Sequence, residues 1–260
     1  MTYFFITSLG RSGTKFFANM LNRSNEVLCY HEPYREDYVN LPLSYYSSDL
    51  KVLNSNLKRR FKDVQHKLKS HPKCEYYGEV NSLLRYNTFW LKNNLDAKIA
   101  HIVRDPTKVV PSIFLRNVYK EGNSHLEIVP DNLDAYSNRW ETMSRFEKIC
   151  WYWTHTNNML LNDVERCFKF EDLISDYSKF QELITYLEIP MISEAVWKTE
   201  VLKPKNTSKK AIFRKKIKSM LQFKESDIEQ IGNYKDWTED MKVSFNAICG
   251  ETAKKIGYDI

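Results

Sequence analysis

Six residues near the start of the chain, Gly10-Arg11-Ser12-Gly13-Thr14-Lys15, bring two glycines, two cations and two hydroxyls together. Glycine lets a backbone turn sharply and aim its N–H groups inward, while Arg11 and Lys15 add charge and Ser12 and Thr14 add neutral donors. That combination suits a tetrahedral anion, phosphate or sulfate. Three further clusters carry chemistry-bearing side chains: His31-Glu32 before Pro33, Glu79 through Ser82, and Arg104 with Ser112 eight residues later. Glu32, His31 and Glu79 are acids or bases able to move a proton. His101, in the middle of an apolar run, reads as a packed histidine.

The elements around these residues explain how they would meet. Tyr3 to Thr7 is aromatic and β-branched, hence a buried strand, and an apolar helix begins near Thr14 with Phe16, Phe17, Met20 and Leu21. Strand, glycine turn and helix point the positive end of a helix dipole at an anion. Glu26 to Tyr30 predicts a second strand, stopped by Pro33, which biases Glu32 away from helical backbone. If the chain stays extended there, His31 and Glu32 point opposite ways, one into the cleft and one behind it. Tyr34 to Tyr46 reads as a loop. Ser47 to Ser70 has helical spacing and many lysines, a surface helix placed as an insertion at about 47–70.

Further along, Cys74 to Val80 and Lys98 to Val103 predict strands, with a helix from Leu83 to about Lys92 between them. A helix opening on Pro106 follows. Asn132 to Asn162 predicts one long helix or a pair, and Arg166 to Phe170 a late strand followed by one helix over Glu171 to Leu187. A short helical piece spans Ile189 to Val201. Lys203 to Ser219 is basic and punctuated by Pro204 and Asn206, hence a loop. Helices at about Lys224 to Asn233 and Thr238 to Lys255 close the chain. Strands alternating with helices give an α/β fold of three layers, a mainly parallel sheet between helices, P-loop NTPase-like, in a single domain over 1–260. The anion loop, His31-Glu32, Glu79 to Ser82 and Arg104 to Ser112 all then fall at carboxyl ends of strands, where such sheets bind ligands.

Composition agrees. With 260 residues, 42% hydrophobic, the chain can bury a sizeable core. The net charge of +6 favours an acidic ligand without indicating nucleic acid. The basic run from Lys203 to Lys218 holds only Phe213 to stack on a base, which argues against a nucleic-acid surface. Five scattered cysteines without a CxxC pair fit reduced thiols in a cytoplasmic protein. A strand beginning at Tyr3 leaves no room for a signal peptide, and no apolar run reaches membrane-spanning length.

An ATP or GTP loop needs Ser or Thr after its lysine to hold magnesium, and here Phe16 follows Lys15. The cradle lacks its metal ligand, which weakens a phosphotransferase reading. Gly10 to Lys15 behind an aromatic strand instead resembles the 5′-phosphosulfate loop of the sulfotransferases, enzymes that use 3′-phosphoadenosine-5′-phosphosulfate (PAPS). Ile102-Val103-Arg104-Asp105-Pro106 with Ser112 resembles the family's 3′-phosphate site. From a strand end and two turns along the next helix, the two side chains can face one phosphate, as a charged fork and a hydroxyl. Phe168 to Leu173 is similar to the family's "YEDL" junction, with Phe170 replacing the tyrosine. Asn206-Thr207-Ser208-Lys209 sits where members carry a basic loop closing over the nucleotide.

The resemblance implies sulfuryl transfer from PAPS to a hydroxyl or amine, leaving 3′-phosphoadenosine 5′-phosphate (PAP), without a metal. Lys15 is the candidate cation for the leaving group. Gly10, Arg11, Ser12, Gly13 and Thr14 would surround the 5′ side, Arg104 and Ser112 the 3′-phosphate, and Lys209 the lid. Glu32 resembles the "EP" glutamate that several members place by the acceptor and is the first candidate base, His31 the second and Glu79 the third. A small molecule, carbohydrate or lipid would serve as acceptor, against Tyr34, Tyr38, Tyr45, Tyr46, Tyr76, Tyr77, Tyr86 or Trp90. The rivals are an ATP-dependent phosphotransferase and a non-enzymatic anion- or nucleic-acid-binding module.

Overall fold

The computed structural model describes residues 1–46, 50–116, 118–122, 128–203 and 231–260. Five strands, β1 (Thr2–Thr7), β2 (Val27–His31), β3 (Tyr76–Val80), β4 (Lys98–Val103) and β5 (Arg166–Lys169), form one sheet in the order β2-β3-β1-β4-β5. Every pairing is parallel. Side chains alternate across it as the pleat requires. Phe4 and Ile6 of β1 and Ala100 and Ile102 of β4 pack beneath α1 (Thr14–Leu21), with α7 (Phe170–Ser175), α8 (Tyr177–Tyr186) and α9 (Glu194–Leu202) in the same apolar cluster. Phe5, Tyr77 and Ile99 face the other way, into α3 (Leu50–Leu68), α4 (Thr88–Leu95) and α6 (Arg145–Asp163). A third cluster joins Val103 to α5 (Pro106–Phe114), α6 and α10 (Glu239–Ile256). The three-layer α/β architecture is therefore as the sequence predicts, with a sheet that is wholly parallel.

Strand order locates the ligand crevice. After β1 the chain crosses to the β3–β2 side, and after β4 it goes to β5, so the switch point lies between the carboxyl ends of β1 and β4. The anion loop and the Arg104 turn flank it.

Four local expectations need correction. Residues 34–46 hold a helix, α2 (Glu36–Tyr46), despite Pro42 in its interior. Glu36 and Asp37 suit the helix N-terminus, and buried Asp37 and Leu41, four apart, dock one face; this outweighs the hydrogen bond that Pro42 cannot make. Residues 83–92 are split into a 3-10 helix (Ser82–Asn87), capped by the Asn81 side chain on the Leu83 amide, and α4. One helix over 171–187 becomes α7 and α8, because extended Asp176 caps the second through the Ser178 amide. The region 132–162 yields a short 3-10 helix (Ser137–Thr142) and α6, opened by a reciprocal capping pair of Ser144 and Glu147. The predicted helix at 224–233 lies largely outside the described residues, and the basic loop and Lys209 lie outside them too.

Candidate active site

The loop after β1 is built on left-handed backbone. Gly10, Arg11 and Gly13 have φ of 95°, 61° and 75°. Arg11 carries a Cβ there and so stores strain of roughly 1–2 kcal/mol. Gly13 caps α1, and a Cβ on it would run into the Phe170 ring, so glycine is required by both backbone and space. The Ser8 hydroxyl accepts from the Gly10 amide at 3.0 Å, and Ser12 donates to the Gly10 carbonyl at 3.3 Å. Ser12 is buried and thus stiffens the loop from within. The first amides of α1 have no acceptor inside the helix, and Lys15 stands exposed beside them.

The second cluster is tied directly to the first. Arg11 Nε donates to Ser112 Oγ at 2.8 Å, and Arg104 Nη1 donates to the Arg11 carbonyl at 2.9 Å. Arg104 lies over the Phe170 ring, 4.9 Å from its centroid, and Trp153 Nε1 holds its carbonyl at 3.3 Å. Burial, then the nearby charges of Arg116 and Arg104, lower the Arg11 pKa to about 10, with Glu32 opposing them. Three arginines of one sign therefore crowd the switch point. Such crowding is relieved by an anion.

Across from them, Thr14 Oγ1 and His31 Nε2 are 2.8 Å apart, and His31 Nε2 lies 3.9 Å from Glu32 Oε2. Ser82 donates to Glu32 Oε1, and Tyr38 lies near the same carboxylate, whose charge joins burial in raising the Tyr38 pKa. Glu32 has φ of 44°. This left-handed turn overrides strand alternation, so His31 and Glu32 converge on the loop instead of pointing opposite ways. Burial lowers the His31 pKa; Glu32 opposes this and Lys15 adds to it.

No family model and no curated protein matches the chain. Solved structures do. A sulfotransferase domain from the curacin biosynthetic pathway matches 100% of this chain and 98% of its own, at 14% identity and a TM-score of 0.50. Sulfotransferase STF9 from Mycobacterium avium covers 99% of this chain and 77% of its own, at 10% identity and a TM-score of 0.45. Mouse sulfotransferase SULT7A1 complexed with PAP covers 97% and 84%, at 14% identity and 0.46. The chain has the sulfotransferase fold.

Within this sulfotransferase-fold domain, Gly10 to Lys15, Arg104 and Ser112 form one continuous cationic corner, and His31 and Glu32 form its opposite wall. Glu79 is elsewhere in character. It is fully buried, and Arg60 grips both it and Asp37 with bonds of 2.6–2.9 Å, while Tyr77 and Asn81 complete its shell. A carboxylate so enclosed has no path to an acceptor. His101 is packed as expected, its ring between the Thr7 carbonyl and Asn157, and burial lowers its pKa to about 4. Among the aromatic candidates, Tyr77 and Trp90 are core residues. Tyr34 lies under the Arg60 guanidinium, and Tyr45, Tyr46 and Tyr86 cluster with one another. Tyr76 packs on the core beneath α1, whereas Tyr38 is 45% exposed and lies beside Glu32.

Three residues acquire places that the sequence did not assign them, Tyr38 having been only one aromatic candidate among eight. Tyr38 was hidden in an assumed loop. Arg116 lies just past the end of α5, a charge that the apolar pattern of the helix opening on Pro106 passes over. Arg60 sat in a helix read as peripheral cover. No helix among the described residues is long and apolar enough to cross a membrane, and all five cysteines are free thiols.

Proposed function

We propose that the chain is a sulfotransferase that moves a sulfuryl group from PAPS to a hydroxyl or amine of a small-molecule, carbohydrate or lipid acceptor. One observation carries this reading. The hydrogen bond from Arg11 to Ser112 joins the anion loop to the Arg104 turn, giving two adjoining anion seats in one corner, as a nucleotide phosphorylated at both ends requires. Phe16 stands where a magnesium nucleotide loop needs a hydroxyl.

When bound, PAPS supplies the sulfuryl group; the sulfur–oxygen bond to the 5′-phosphate breaks as one to the acceptor forms. Lys15 and the loop amides neutralise the charge that develops on the departing phosphate oxygen. Arg104, Arg11 and Ser112 hold the 3′-phosphate and so fix the reacting end in line. Glu32, which accepts from the Ser82 hydroxyl, takes the acceptor proton. His31 aligns Thr14 through Nε2 and stands 3.9 Å from Glu32. The sulfuryl group carries less charge than a phosphoryl group, so these cations suffice without a metal.

A thermal-shift series with PAP, ATP and GTP, each with and without magnesium, tests the reading. Stabilisation by PAP alone, unaffected by EDTA, is the expected result. Stabilisation by ATP that depends on magnesium would replace it with a phosphotransferase.

A further inference from the structure

The far end of the chain reaches the same corner. Helix α10 closes at Gly257, whose φ of 88° suits glycine, with the Gly257 amide bonded to the Lys254 carbonyl and the Tyr258 amide to Ala253 at 2.9 Å. This helix closure turns Tyr258 back toward the end of β4. Its hydroxyl donates to Glu171 Oε2 at 2.7 Å and lies 3.5 Å from the Val103 carbonyl. The other carboxylate oxygen, Glu171 Oε1, accepts from the Asp105 amide at 3.3 Å and faces Arg104 Nε at 3.8 Å. Lys169, over the Tyr258 ring, also donates to the Gly257 carbonyl, which pins the turn from its other side.

A carboxylate beside an anion seat is at first sight misplaced, since it repels the phosphate that Arg104 is there to hold. The contacts resolve this. Both oxygens of Glu171 are engaged, Oε2 by Tyr258 and Oε1 by the Asp105 amide, and Oε1 faces Arg104 Nε. Arg104 is thereby defined on three sides: Phe170 under its plane, the Arg11 carbonyl on Nη1 and Glu171 toward Nε. We infer that Tyr258 and Glu171 are positioning residues that orient Arg104 toward the 3′-phosphate, making the chain's last turn a determinant of selectivity for 3′-phosphorylated nucleotides. Neither residue touches the nucleotide. This rests on the nucleotide reading above.

Titration calorimetry of the full chain with PAP and with adenosine 5′-phosphate separates the two ideas. Wild type is expected to prefer PAP, and Arg104→Ala to lose that preference. Equal affinity of wild type for both ligands would overturn the nucleotide reading itself. Tyr258→Phe removes one hydroxyl and keeps the ring; it is expected to weaken PAP about three- to tenfold while leaving adenosine 5′-phosphate unchanged. A wild-type preference that survives intact in Tyr258→Phe, or a parallel weakening of both ligands, would overturn the positioning role. Should that variant fail to fold, Glu171→Gln, which retains an acceptor for the Asp105 amide, decides by the same ratio.

Discussion

Two arginine clusters lie at the carboxyl edge of this sheet, and they are opposites. Arg60 is 6% exposed and meets two carboxylates in paired bonds; burial works against its charge, but Glu79 and Asp37 raise its pKa. Asp37 is itself raised by burial, with Arg60 pulling it down. Arg11 and Arg104 instead meet a hydroxyl, a carbonyl and one looser carboxylate, Glu171, and the Arg11 pKa is lowered by burial and by its cationic neighbours. Counter-charge is complete in one cluster and only partial in the other, where Glu171 stands 3.8 Å from Arg104 Nε. A saturated arginine holds a fold together, whereas one left short of anions marks the place where a ligand completes the set.

The sharpest way to break this contrast is to remove Arg60. Arg60→Ala leaves two buried carboxylates facing each other and should cost about 3–5 kcal/mol, measured by denaturant unfolding. A cost below about 1 kcal/mol would show that the cluster is not the closed network described. Next is Glu32→Gln, expected to lower kcat about 10² or more with PAP affinity unchanged. If His31→Ala were the damaging change instead, the proton would belong to the histidine. Arg104→Ala should weaken PAP by about ten- to thirtyfold, as loss of a charge-assisted contact does, with little change in stability. A large loss of stability there would place Arg104 with Arg60 on the structural side.

A further contrast lies in pH. His31 and His101 both take up protons less readily in the folded chain than in the unfolded one. Stability should therefore be level above pH 6.5, then fall as pH drops toward 4, because the unfolded chain binds those protons first. Substituting His101 by Gln should flatten the lower part of that decline in pH-dependent thermal unfolding.

Much of the anion corner was legible because its chemistry is local: six contiguous residues for the loop, and a fixed helical spacing for Arg104 and Ser112. The closed network was not, since it joins residues 19 to 44 apart in sequence and only tertiary docking of α2 and α3 brings them together. Pro42 concealed α2, and with it the route from Tyr38 to Glu32. The convergence of His31 and Glu32 depends on one backbone torsion, at Glu32, which residue type does not announce. Glu79 looked like a base because a strand-end carboxylate resembles one until its partners are known.

Gly13 and Phe170 leave one consequence for kinetics. With an aromatic ring wedged beneath it, the turn cannot slacken when no anion is present. Its ordering entropy is therefore lost at folding and not at ligand capture. Association should then proceed without a slow rearrangement of this turn, and nucleotide residence time should track the strength of the arginine contacts, not the opening of the loop.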